Sequence, residues 1–277
     1  MKAVLTRLFR RRIVLLSAIV LVAIVVLALG ASVFASADPN DTAVLDRLKA
    51  PSAEHLLGTD ELGRDLYARV VHGARYSLSI AAMTAVGSVV LGTLVGLIAG
   101  FFRRLDTPIM RVVDAMMSFP DILLAIALVA ILGASLTNVV LALVLVYTPR
   151  VARVVRASTL VVRELLFVEA ARAIGARTPH ILWHHVLPNL LSPILVQGSF
   201  IFAYAILAEA GLSFLGVGVP PEIPTWGTMV AGSQQYAERA FWVVLFPGLA
   251  IILTALSLQL LGDGVRDMLD PKLKKAA

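Results

Sequence analysis

Long apolar runs alternate with short polar islands along the whole chain, and runs of that length predict helices that cross a membrane rather than strands. The first run is Ile13 to Phe34. At about 1.5 Å per residue it covers about 33 Å, enough for a hydrocarbon core about 30 Å thick. Further runs predict spans over about 76–102, 109–133, a fourth ending near Pro149 and Arg150, a fifth over 190–215 and a sixth over 241–261. The polar stretches between them are 35–75, a short turn at 133–138, an island over 164–188 and a loop carrying Pro220, Pro221 and Pro224. On the second run Gly92, Gly96 and Gly100 recur every fourth residue. They share one face, which suits close helix packing in lipid.

Composition agrees with that pattern. Hydrophobic residues make up 59% of the 277 and the mean hydropathy is +0.89, too apolar for a soluble domain. Cysteine is absent, which removes disulfides and thiolate metal or redox sites. The net charge of +6 would suit a nucleic-acid binder in a soluble protein. Here the basic residues sit at the ends of apolar runs, so charge bears on orientation in lipid and no nucleic-acid partner is expected. With both termini inside, 18 of the 24 lysines and arginines fall on inner segments and six on outer ones. The expected layout follows. Residues 1–12 are a cytoplasmic N-terminus, 13–34 the first transmembrane helix, 35–75 an extracytoplasmic loop, 76–262 the main transmembrane domain and 263–277 a cytoplasmic tail. Ala35, Ser36 and Ala37 have the small-residue pattern of a signal-peptidase site. The run before them exceeds the usual apolar region of about 7–15 residues, so the first span is expected to stay uncleaved.

The island at 164–188 sits among these inner segments and reads as two short helices around a break. Gly175 is the break, because glycine takes the left-handed conformation that ends a helix at little cost. Thr178 is expected to cap the second helix with Pro179 in its first turn, and Pro188 to stop it. Ala170, Ala171 and Ala173 leave room for another surface to approach.

Glu169-Ala170-Ala171, three residues, Gly175, nine residues, then His185-Val186-Leu187-Pro188 resembles the E-A-A-x-x-x-G-x9-I-x-L-P motif of ABC importer permeases, with His185 where the general pattern has Ile. Three further strings resemble the dipeptide, oligopeptide and nickel branch of that family: His55 to Asp65, Glu209 to Gly227 and Leu260 to Pro271. In plain physical terms these are a capped turn around Thr59 and Asp60, a stiff non-helical exit from the fifth span, and a helix surface with Asp263, Arg266 and Asp267 at ion-pair spacing.

The resemblance implies an all-α integral membrane protein: six transmembrane helices in the type I ABC importer permease fold, with cytoplasmic coupling helices at 164–188. It implies a second permease subunit, two ATP-binding subunits and an extracytoplasmic solute-binding protein as partners, in contact with membrane lipid. It assigns coupling to the ATPase subunits to Glu169, Ala170, Ala171, Gly175, His185, Leu187 and Pro188. The implied activity is passage of dipeptides or oligopeptides through half of a translocation path. A nickel-importing member is the rival within transport. All five histidines are expected outside the spans, which favours peptide. A membrane-anchored scaffold or sensor is the rival from another class, opposed by the island and by charged residues within spans.

The chain has no ATP-binding motif of its own. Its lysines are Lys2, Lys49, Lys272, Lys274 and Lys275, and none follows the glycine of a phosphate-binding loop. ATP hydrolysis is therefore expected on partner subunits; no catalytic residue, cofactor or metal is assigned. His180 and His184 have the spacing of a zinc helix, but Ile181 stands where its glutamate would be, so a polar interface is the better reading. Asp114, Asp121 and Glu209 fall in or at the ends of spans, where charge is costly. The first two suit helix ends. Glu209 either lines the translocation path or makes a structural hydrogen bond to a neighbouring span.

Overall fold

The computed structural model describes residues 12–269. The basic residues before Arg12 and the lysines of the tail lie outside that range. Eleven α-helices follow one another: α1 (Arg12–Leu29), α2 (Ala31–Phe34), α3 (Leu66–Phe101), α4 (Arg103–Met117), α5 (Asp121–Leu132), α6 (Leu136–Val162), α7 (Leu166–Ala173), α8 (Thr178–Ile181), α9 (Leu187–Phe214), α10 (Trp226–Gly232) and α11 (Trp242–Leu269). Five helical runs are long and apolar enough to cross a membrane, with 178–214 counted as one, and the α4–α5 pair makes a sixth if its halves are taken together.

The core seam is α3 against α6. A Cβ on Gly92 would lie 2.4 Å from Val151 Cβ and 2.8 Å from the Thr148 carbonyl oxygen. One on Gly96 would lie 2.6 Å from the Ala152 oxygen, and one on Gly100 2.6 Å from Thr159 Cβ. The glycine row is therefore a groove that receives the β-branched side chains of α6. Ser88 Oγ adds a hydrogen bond to the Val144 carbonyl oxygen at 3.3 Å across the same seam.

Several boundaries differ from those expected. The second span begins ten residues earlier than predicted, because the Asp65 carboxylate accepts from Ala68 N at 2.9 Å and caps α3 there. The fourth does not end at Arg150. It runs on to Val162, since Arg150, Arg153 and Arg156 pair with aspartates instead of marking the exit. The third is not one helix: α4 and α5 meet at 93° across Ser118, Phe119 and Pro120. Proline disfavours helical backbone in the residue before it, and Asp121 then opens a new helix whose N-terminus favours its charge. α5 alone, at about 18 Å, is shorter than the core.

Pro188 does not stop the second island helix. α8 passes through a π-helical stretch, Leu182–Val186, straight into α9. Pro188 falls in the first turn of α9, where a missing N–H costs least. Its cap is also one residue earlier than expected: Arg177 holds the extended N-cap backbone and Thr178 is the first helical residue.

The sequence pattern carries no signal for α10. Only seven residues long, it lies in the loop after the fifth span and tucks Trp226 against α3. The indole Nε1 donates to the Val70 oxygen at 3.0 Å, and the backbone N to Ser77 Oγ at 3.1 Å.

Close packing at the seam makes it sensitive to volume. Gly92→Leu should lower stability by about 1–3 kcal/mol, the usual cost of overpacking a filled core. Gly248→Ala is the control, because a Cβ there meets nothing within 4 Å. Thermal unfolding of both variants in detergent checks this; equal midpoints would refute the seam.

Candidate functional site

Gly175 ends α7 through two hydrogen bonds. Ala176 N donates to the Ala171 oxygen and Gly175 N to the Arg172 oxygen, each at 3.0 Å. This six-to-one and five-to-two pair needs a left-handed residue, and Gly175 has φ +80°. The break therefore sets the angle between α7 and the helix that follows.

The two faces of α7 separate cleanly. Val168 and Ala171 are buried in the core, whereas Glu169 and Ala170 are exposed. Ala171 therefore anchors the elbow from within. His185 and Leu187 are half-buried, and Pro188 is exposed. One turn before and after Ala170 stand Leu166 (81% exposed) and Ile174 (85%), and Trp183 in the helical run that follows is 60% exposed. Leu166 and Ile174 therefore leave an apolar patch on the face of α7 turned away from the core.

Charges tie the elbow to the bundle. Arg163 Nη1 donates to the Gly100 oxygen at 2.6 Å, and Arg163 Nε to Glu164 Oε1 at 2.9 Å. Arg103 reaches Glu164 at 3.6 Å, and the Arg172 guanidinium lies 5.1 Å from the Phe101 ring centre. The hydrogen bond from Arg163 holds the Glu164 carboxyl below its ordinary range. His180 and His184 stack at 4.2 Å between ring centres. His184 Nδ1 lies 3.2 Å from the His180 carbonyl oxygen, so one ring nitrogen is already engaged.

Three ion pairs join α6 to the bent α4–α5 pair. Arg156 Nη2 donates to Asp106 Oδ2 at 2.7 Å, Arg153 Nη2 to Asp114 Oδ1 at 2.6 Å, and Arg150 Nη2 to Asp121 Oδ2. Asp114 lies in the last turn of α4 and Asp121 opens α5, the helix-end placement expected of both.

Glu209 is 1% exposed. Its Oε1 accepts from Thr225 Oγ1 at 2.7 Å and Ser213 Oγ at 2.9 Å. Thr225 in turn caps α10, with its Oγ1 accepting from Thr228 N at 3.0 Å. A Cβ on Gly227 would lie 2.7 Å from Ala210 Cα, so α10 sits directly on α9. Glu209 thus pins the loop helix to the fifth span; of the two readings for it, the geometry favours a structural hydrogen bond, made to the loop and not to a neighbouring span.

On the far side, the His55–Asp65 string is the tight turn its residues suggest. Asp60 Oδ1 accepts from Leu62 N at 2.9 Å and Arg64 N at 3.0 Å, while Gly58 and Gly63 hold φ of +81° and +74°. Burial and the neighbouring Asp60 push the Glu61 carboxyl up.

The family described as binding-protein-dependent transport system inner membrane component matches residues 88–275. The chain belongs to this family of permeases. The N-terminal TM domain of oligopeptide transport permease C matches residues 1–51. A putative peptide transport system permease protein of Brucella suis biovar 1 (strain 1330) is 50% identical over 268 residues, 97% of this chain and 90% of the relative. The dipeptide transport system permease protein DppC of Alkalihalophilus pseudofirmus is 43% identical, over 96% of this chain and 88% of that one. Among solved structures, an inward-facing form of the MetNI methionine ABC transporter superposes with a TM-score of 0.61 at 21% identity. The match covers 74% of this chain and 98% of that chain, and it establishes the fold.

Two features of this permease escaped the sequence. The exposure of Leu166, Ile174 and Trp183 leaves no signal in the sequence. The arginines at 150, 153 and 156 read as topology signals, although their spacing of three already places them along one side of a helix. The histidine argument also changes. His72 lies on α3, and His180, His184 and His185 lie on the helical run 178–214. At about 54 Å, a run that long overshoots a core of about 30 Å, so residues near its ends need not be in lipid.

If Glu209 is a hydrogen-bond acceptor, Glu209→Gln should keep transport near wild type. Glu209→Leu should lose about 1–3 kcal/mol of stability by leaving buried hydroxyls unpaired. Thermal unfolding together with uptake checks both; a collapse of uptake in the Gln variant at unchanged stability would restore the path reading.

Proposed function

We propose that this permease is one of two membrane subunits of an ATP-driven importer of dipeptides or oligopeptides. Its partners would be a second permease, two ATP-binding subunits and an extracytoplasmic solute-binding protein. The observation that carries the substrate class is near full-length likeness, at 43–50% identity, to permeases named for peptide and dipeptide transport. Orientation with both termini inside is supported by the division of basic residues, which stays at 15 to 6 when Arg150, Arg153 and Arg156 within α6 are set aside. Fusion of a reporter after Ser36 or after Glu238 should report outside, and at Ala277 inside. The opposite pattern would remove the elbow from the compartment that holds ATP.

In this reading α7 and Gly175 receive the motor. Glu169 and Ala170 present the docking face, Leu166 and Ile174 extend it, and Ala171 holds it to the core. His185, Leu187 and Pro188 carry the movement into α9, because α8, the π-helical stretch and α9 are continuous. Closure of the ATP-bound motor pair would tilt that lever, switching the path from inward-open to outward-open.

Uptake of a labelled dipeptide by proteoliposomes holding the assembled transporter tests the substrate class. No uptake in the presence of ATP and binding protein would overturn it. Gly175→Val should strain a left-handed backbone by about 1–2 kcal/mol, while its Cβ meets nothing within 4 Å. Ala170→Leu should hold the docking surfaces apart. Both should insert normally, yet lower uptake at least several-fold and release the co-purifying ATPase. Full uptake with the motor retained in both would mean that coupling lies elsewhere.

A further inference from the structure

A cavity of about 230 Å³ lies among α5, α6 and α9, with Asp121, Tyr147, Tyr204 and Leu207 in its wall. Arg150 borders it through its contacts with three of those side chains. Its Nη2 donates to Asp121, and its guanidinium carbon lies 5.7 Å from the Tyr147 ring centre and 5.4 Å from that of Tyr204. Both charged side chains are about one-third exposed, and Tyr204 and Leu207 are 38% and 48% exposed. The ion pair therefore faces an opening, not a sealed core.

Its depth matters. Arg150 lies about 22 Å along α6 from Ser135, and Tyr204 about 15 Å along α9 from its far end, at about 1.5 Å per residue. Those distances place the pair well inside a core of about 30 Å. A face that carries such a pair is unsuited to lipid and must meet water or another protein. The rest of the lining is apolar, so the charges stand alone in it.

We propose that Asp121 and Arg150, with Tyr147 and Tyr204, form half of a site for a zwitterionic ligand, a short peptide with free amino and carboxyl ends. This rests on the permease reading above and names the residues that would recognise the cargo. Among the described residues Asp121 is the one hydrogen-bond acceptor that the guanidinium meets, which leaves most of its five N–H groups for an incoming carboxylate. The Asp121 carboxylate has a second oxygen for an ammonium group, and the tyrosine rings offer π-faces to the same cation. An internal ion pair would be exchanged for two pairs to the ligand, with no isolated charge left in the membrane. The cavity is below the range of about 300–1,000 Å³ usual for small-molecule clefts, as half of a shared site should be.

The test uses the assembled transporter in nanodiscs, without binding protein, and a dipeptide carrying a benzophenone side chain and free ends. Illumination should label peptides containing Tyr147–Arg150 or Tyr204–Ala208. An unlabelled dipeptide with free ends should compete at least tenfold better than the same dipeptide acetylated and amidated. Asp121→Asn and Arg150→Gln should each cut labelling at least fivefold in complexes that remain assembled by size-exclusion chromatography. Labelling elsewhere, equal competition by the blocked dipeptide, or full labelling of both variants would overturn the site. The wild-type competition stands even if a variant fails to assemble. Labelling is read separately from uptake: a transporter that imports the dipeptide but labels elsewhere loses only this site, whereas one that imports no peptide loses the permease reading itself.

Discussion

In hydrocarbon, two apolar helices gain little by hiding from a solvent as apolar as themselves, so their association depends on how closely their backbones approach. The seam between α3 and α6 meets that constraint with glycine. Gly92, Gly96 and Gly100 leave no side chain where Val151, the backbone around Ala152, and Thr159 press in. Everything else hangs on α6 held in that position. Its three arginines fasten the bent α4–α5 pair, and Arg163, one residue past its end, bonds back to Gly100 on α3. The elbow then begins from a fixed point.

In the coupling proposed above, the chain has one hinge and one lever from that point. Gly175 is the hinge, in a left-handed conformation with free space around it. The lever is the helical run from Thr178 to Phe214, interrupted only by a π-helical stretch at Leu182–Val186. Motion applied at α7 has a continuous helical route into the membrane. Near the far end of that route Glu209 and Thr225 hold α10 against α9 and α3. The two ends of the lever are thus built differently: an exposed face with small and apolar residues at one, a buried hydrogen-bonded clasp at the other.

Much of this was legible in the sequence, for physical reasons. Apolar run length reports spans directly, because the bilayer leaves a backbone no other partner than itself. The glycine row at intervals of four and the glycine after the E-A-A stretch report close approach and a helix stop. Part of what stayed hidden involved residues far apart in sequence. Arg150 read as the end of a span because its partner, Asp121, is 29 residues away. Pro188 read as a stop, whereas a proline in the first turn of a new helical segment costs little. α10 was invisible, since seven residues among prolines and glycines carry no period. At the candidate site, sequence named Glu169, Ala170 and Gly175 but could not tell that Ala171 faces inward or that Leu166 and Ile174 face out.

The central claim is that the face of α7 carrying Ala170 is where a motor subunit docks. The chain contains no cysteine, so an introduced cysteine is its single thiol. Ala170→Cys, Ile174→Cys and, as a distant control, Leu215→Cys would each be treated with a short bifunctional thiol–amine cross-linker in the assembled transporter. The account predicts a cross-link to the ATP-binding subunit from the first two positions and none from the third. A cross-link from position 215, or none from positions 170 and 174 in a complex that retains its ATPase, would contradict it.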